Sequence, residues 1–202
     1  MIHAAEQERA DVAFSRNTWR LFQAFIDPDR LVFLDETCLK TDMTTRYGRA
    51  PRSERCVDHT PGRCWSTTTL LTAIRCEGVI EEASLVCPGA MNSDLFESYA
   101  ESFLSRALKP GDIVVMDNLS CHKRAEVAAA IEAVGASLWY LPPYSPDLNP
   151  IEQAFSKIKQ ALRRAAARSW DELIEAAVDA MRSITPGDIR GYMVEAGYRV
   201  DD

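Results

Sequence analysis

Apolar positions along the chain change their period several times, and each change predicts an element. Between residues 10 and 26, Val12, Trp19, Phe22 and Ile26 recur at helical spacing, and Asp27-Pro28 closes that helix. Leu31-Val32-Phe33-Leu34 is instead a short continuous apolar run bounded by Asp35-Glu36, which suits a strand buried on both faces. Ile113-Val114-Val115-Met116 repeats the pattern and also stops at an acid, Asp117. Residues 66–75 and 79–86, on either side of Gly78, are rich in β-forming side chains, and Ser137–Leu141 reads as a further strand. The polar stretch 41–55, punctuated by Gly48 and Pro51, predicts a hairpin or two ragged strands.

Helical spacing returns after Asn92-Ser93, where Leu95, Tyr99, Phe103 and Leu104 lead to a stop near Pro110-Gly111, and again across 123–134. Residues 142–150 are too rich in proline for regular structure, and Ile151, Phe155, Ile158 and Leu162 mark the helix that follows. Two capped helices close the chain. Ser169 with Glu172 forms a capping-box pattern ahead of Trp170, Leu173, Ala177 and Met181, and Thr185-Pro186 starts the last helix. Several strands followed by strand–helix alternation predict an α/β fold, a mixed sheet with helices on both faces and extra C-terminal helices. The sites of such sheets lie at strand carboxyl ends, where Asp35 and Asp117 fall.

Composition changes this picture little. The 202 residues are 47% hydrophobic and 26% charged, as in globular domains, and the net charge of -7 argues against coating nucleic acid through overall charge. No apolar run is long enough to predict a membrane span, and Glu6, Glu8 and Arg9 interrupt the place of a secretory signal. Cys56, His59 and Cys64 offer three zinc-type ligands without a fourth at a standard spacing, so the six cysteines are expected to be free thiols.

The acids change it more. Carboxylates that end neighbouring buried strands repel each other unless a cation compensates. Mg2+ takes oxygen ligands, and a pair of such ions about 3.5–4 Å apart can serve in-line phosphoryl transfer. Glu152, 35 positions after Asp117, stands in the first turn of the next helix and is the natural third ligand. Each acid also has a plainer reading. Asp35 and Asp117 fit solvated loop positions, and Asn149 as N-cap, Pro150 at N1 and Glu152 at N3 fit a cap that binds only backbone. Glu36 and Asp147 compete as ligands, although strand alternation turns Glu36 from the face of Asp35.

Asp117-Asn118-Leu119-Ser120-Cys121-His122, with Tyr140-Leu141-Pro142-Pro143-Tyr144-Ser145-Pro146-Asp147-Leu148-Asn149-Pro150-Ile151-Glu152, resembles the mariner-like DDE transposases of bacterial insertion sequences. Leu31–Thr37 looks like that family's first catalytic strand, and Tyr47–Pro51 like the hairpin after it. The resemblance implies an RNase H-like catalytic domain. It also implies Asp35, Asp117 and Glu152 as catalytic metal ligands, Mg2+ or Mn2+ as cofactor with two ions per site, cleavage at transposon ends, and transfer of the freed 3′-hydroxyl to target DNA. Asn118, His122 and Asn149 match as supporting residues. The implied setting is the bacterial cytoplasm, on the nucleoid when bound to DNA, with no membrane association.

The expected organisation is a linker helix over 1–28, the catalytic domain over 29–168, and a helical extension over 169–202 packed on it. Basic residues are unevenly placed. Lys159 and Arg163 share a helix face with Glu152, and Arg46, Arg49 and Arg52 recur every third residue, so both groups are candidate contacts to double-stranded DNA, alternatively solvated surface. About 30 residues precede the first strand, too few for the helix-turn-helix module that reads transposon ends. Such a half is therefore expected in fusion or from another chain, with a homodimer in the DNA complex. Two alternatives stay open: a truncated fragment that partners or inhibits a full-length transposase, and a stand-alone RNase H-like nuclease. The intact acids disfavour the first, and the proline-rich motif disfavours the second.

Overall fold

The computed structural model describes residues 5–45, 47–57, 59, 67–119 and 122–200. Five strands form one sheet in the order β3-β2-β1-β4-β5: β1 (Leu31–Lys40), β2 (Thr67–Arg75), β3 (Gly78–Pro88), β4 (Ile113–Met116) and β5 (Ser137–Tyr140). The β1–β2 and β2–β3 pairs are antiparallel, whereas β1–β4 and β4–β5 are parallel. The sheet is mixed, as the element order requires.

Alternation along the strands builds two cores. Leu31, Phe33 and Leu39 of β1 and Ile113 and Val115 of β4 face α5 (Ile151–Ala165), α6 (Trp170–Arg182) and α7 (Pro186–Glu195). Val32 and Leu34, with Val114 and Met116, face the other way, onto α2 (Ser93–Tyr99), a π-helical turn (Ala100–Leu104) and α4 (Ala125–Glu132). A short α3 (Ser105–Ala107) ends the α2 segment before Pro110. Both faces of the central strands are thus covered, which is why their apolar runs are unbroken. The C-terminal caps form as read, with reciprocal bonds between Ser169 and Glu172 and between Thr185 and Asp188.

Three expectations need correction. The first strand does not stop at Leu34 but runs to Lys40, because β2 pairs with it through Asp35↔Thr72 and on to Lys40↔Thr67. The hairpin expected over 41–55 is absent among the described residues. That polar stretch has no apolar alternation to bury, and β2 already occupies the antiparallel edge of β1. Thirdly, the stripe of α1 (Ala10–Gln23) is partly polar: Val12, Arg16 and Gln23 are buried, while Phe22 is exposed.

The cause is what α1 packs on. Its neighbours are the proline-rich loop and the chain's last turn, whose backbone carbonyls need donors. Arg16 donates to Tyr144 O (3.3 Å), to Ser145 Oγ (2.8 Å) and to both oxygens of Asp147 (2.8 and 2.7 Å). Gln23 donates to Ala196 O (3.0 Å), and Trp19 Nε1 to the Tyr198 hydroxyl (3.2 Å). The Arg16 guanidinium holds the Asp147 carboxyl below its usual range. Arg16→Ala is expected to destabilise the chain by about 2 kcal/mol, the worth of hydrogen bonds to a charged partner, read as a lower urea midpoint.

Candidate active site

Beyond Phe33 the β1 strand has no hydrogen-bonded neighbour on its β4 side, since β4 ends at Met116. Phe33 pairs with Val115, so Asp35 and Asp117, each two residues on, stand level on adjacent strands where the sheet opens. The proline-rich loop then crosses that mouth and delivers α5. A cleft of about 580 Å³ results, lined by Asp35, Glu36, Asp117, Asn118, Asn149, Glu152 and the loop from Leu141 to Pro146. All three expected acids reach it.

Asp35 is the most buried of them and is held from two sides. Its Oδ1 accepts the Glu36 amide (2.7 Å), and its Oδ2 accepts Asn149 Nδ2 (2.8 Å). Burial pushes its carboxyl up to about 7, and the charges of Asp117 and Glu152 push the same way. The Glu152 carboxyl is also raised, first by burial and further by Asp117, with Lys159 opposing. Asn149 is not the N-cap of α5. Pro150 takes that place with no side-chain cap, and Asn149 instead donates Nδ2 to Asp35 while its Oδ1 takes no backbone amide. Glu152 consequently sits one position nearer the helix start than expected and is not a capping residue.

Glu36 and His122 form a part of the site that spacing did not reveal. Alternation does turn Glu36 to the opposite sheet face from Asp35, yet at the open end of the sheet it still lines the cleft. There Glu36 Oε1 lies 3.0 Å from His122 Nε2, while His122 Nδ1 lies 2.8 Å from Asp117 Oδ1. Phe96 packs on the imidazole at 4.4 Å between ring centres. Both residues stand in the motifs singled out above, but only the sheet register joins them.

The proline-rich loop carries local strain. Tyr144 adopts a left-handed backbone (φ 55), uncommon for a residue with a bulky side chain, and its carbonyl is tied by Gln7 (2.7 Å) and Arg16 (3.3 Å). The basic candidates divide. Lys159 and Arg163 line a second groove of about 260 Å³ with Lys40 and Asp42, about two and three helical turns along α5 from Glu152. Arg49 and Arg52 are exposed and are not part of the acid cleft's lining, and Arg46 lies outside the described residues.

The donor set suits a hard divalent cation: carboxylate and amide oxygens, with a buried Asn149 Oδ1 that has no hydrogen-bond partner among the described residues. Among those residues no three acidic, histidine or cysteine side chains converge on one point as a ready-made metal shell.

Residues 30–174 match the DDE superfamily endonucleases, and the chain belongs to that family. Its fold is the RNase H-like fold of the Mos1 mariner transposase catalytic domain, which it matches with a TM-score of 0.67 at 16% identity over 100% of both chains. The Mos1 transposase paired-end complex with left transposon end matches with a TM-score of 0.78 at 19% identity, covering 98% of this chain and 62% of that one. The Mos1 mariner paired end complex with Mn gives 0.75 at 17% identity, covering 98% and 62%. This chain therefore spans under two thirds of the Mos1 chains in those two complexes. No curated protein matches it. Among the described residues no helix is long and apolar enough to cross a membrane.

Proposed function

We propose that this chain is the catalytic domain of a mariner-like DNA transposase, of the kind carried by bacterial insertion sequences, with Asp35, Asp117 and Glu152 as its catalytic acids. The observation that carries the reading is their meeting in one cleft, delivered by β1 where it runs past its parallel neighbour, by the end of β4 and by the helix after the proline-rich loop. These acids would hold Mg2+ or Mn2+, two ions per site. Bound there, the metal would activate the attacking oxygen and neutralise the leaving one.

The chain's own residues do the rest. Asn149 and the Glu36 amide fix the Asp35 carboxylate, so its oxygens need no reorganisation. The proline-rich loop, anchored by Arg16, walls the cleft against solvent on one side. In cleavage, water attacks phosphorus, the P–O3′ bond breaks and the strand leaves as a 3′-hydroxyl. In transfer, that 3′-hydroxyl attacks a phosphodiester of target DNA, the target P–O3′ bond breaks and a target 3′-hydroxyl leaves. Recognition of transposon ends is assigned to a helix-turn-helix half in fusion or on another chain, and the working unit to a homodimer on DNA.

A strand-transfer assay with pre-cleaved ends tests this, using the chain fused to a recognition half. Wild type is expected to join strands with Mg2+ or Mn2+, and Asp117→Asn is not. No joining by the wild-type fusion would defeat the proposal. Lys159 and Arg163 are assigned to the DNA backbone, with Arg46, Arg49 and Arg52 as a second set. Lys159→Glu is expected to weaken DNA binding and lower the slope of log K against log salt by about 1, measured by fluorescence anisotropy. An unchanged slope would remove Lys159 from the interface.

A further inference from the structure

The buried imidazole of His122 bridges two carboxylates, one of them a proposed metal ligand. We infer that Glu36 and His122 are a positioning pair that orients the Asp117 carboxylate toward the cation, an inference that rests on the metal-binding reading of Asp117. Two contacts converge on one oxygen of that side chain: His122 Nδ1 at 2.8 Å and the Leu119 amide at 3.1 Å both meet Oδ1. Oδ1 is thereby engaged by the protein, which leaves Oδ2 as the oxygen for an ion. Asp117 needs such support because it lies just past the end of β4, where no ladder holds its backbone, and a third of its side chain is exposed.

The imidazole is itself immobilised on every side. Glu36 Oε1 takes the far ring nitrogen at 3.0 Å, Phe96 covers the ring face, and the Tyr140 hydroxyl donates to the His122 carbonyl at 2.8 Å. The ring is 1% exposed, so it cannot touch substrate and acts only through Asp117. Histidine that merely filled the core would not need a carboxylate at each nitrogen. The arrangement matches the outer partners of metal ligands, which set ligand orientation and whose loss costs about 10–100-fold in metal affinity.

The test separates the two nitrogens. An asparagine amide reaches the position of Nδ1 and a glutamine amide that of Nε2, so His122→Asn keeps the Asp117 contact and His122→Gln keeps only Glu36. Both lose the ring packed on Phe96 and are expected to melt at similarly lowered temperatures. Affinity for Mn2+ alone, titrated by electron paramagnetic resonance without DNA, reads the positioning role. His122→Asn is expected within about 3-fold of wild type, and His122→Gln and Glu36→Ala about 10-fold weaker or more. Equal affinity in the Asn and Gln variants, whether at the wild-type level or both lowered alike, would overturn the positioning role. Asp117→Asn, run beside them, should lose most Mn2+ binding. An unchanged affinity there would overturn the ligand reading, and the inference with it, and would be distinguishable from a failure confined to His122.

Discussion

Asp117→Asn is expected to lower DNA strand cleavage about 10³-fold, with the folded structure retained. The substitution is nearly isosteric, and an amide oxygen can still accept from the Leu119 amide that Asp117 now accepts from at 3.1 Å. What disappears is the charge that would hold a divalent ion at the level of Asp35. Asp117 is partly exposed and lies outside the sheet ladder, so the fold does not depend on its ionisation. Glu152→Gln should behave alike, since Glu152 caps nothing in α5 and its carboxylate is spent on the cleft. The check is Mn2+-dependent nicking of supercoiled plasmid alongside a circular dichroism melt. Cleavage surviving in either variant would remove that acid from the chemistry.

Asp35 should give the second large effect, and it runs toward greater stability. Its carboxyl is pushed from 3.8 to about 7 by burial and by the neighbouring acids. Between about pH 4 and pH 7 the folded state therefore keeps a proton that the unfolded chain has released. Stability from this group is fully present below pH 4, is lost as pH rises to 7, and stays lost above it. Asp35→Asn removes that dependence. In EDTA the variant's stability relative to wild type should climb by on the order of 3 kcal/mol between pH 4 and pH 8, roughly 6–12 °C in Tm for a chain of this size. A constant offset from altered hydrogen bonding to Asn149 and Glu36 does not change the slope. A flat difference across that range would show that the acid cluster carries no electrostatic strain. The strain is what one expects of a site built to receive cations: the acids are held together before the charge that reconciles them arrives.

Much of this arrangement was legible from the order of residues. The runs 31–34 and 113–116 are apolar without alternation because each is covered by helices on both faces, and an acid directly after each marks the sheet's open end. The capping residues at Ser169 and Thr185 placed two helix starts through local chemistry alone. The extent of β1 was not legible, because Glu36, Thr37 and Lys40 are strand residues only by virtue of their partners on β2. Nor was the face of α1, where Arg16 and Gln23 are buried against carbonyls of distant loops. Asn149 and Glu152 fitted a helix cap equally well by spacing. Only the position of Asp35 across the cleft shows that Asn149 donates its Nδ2 there, with its Oδ1 capping no backbone amide. The joining of Glu36, His122 and Asp117 depends on parallel register and on the packing of Phe96, neither of which has a local signature.

The most direct measurement of the central claim is a crystal of the protein soaked in Mn2+ and recorded at the manganese absorption edge. Anomalous peaks are expected in the cleft, within coordination distance of Asp35, Asp117 and Glu152, and absent from crystals of Asp117→Asn. Anomalous density confined to other sites, with the three acids left without an ion at saturating Mn2+, would contradict the account.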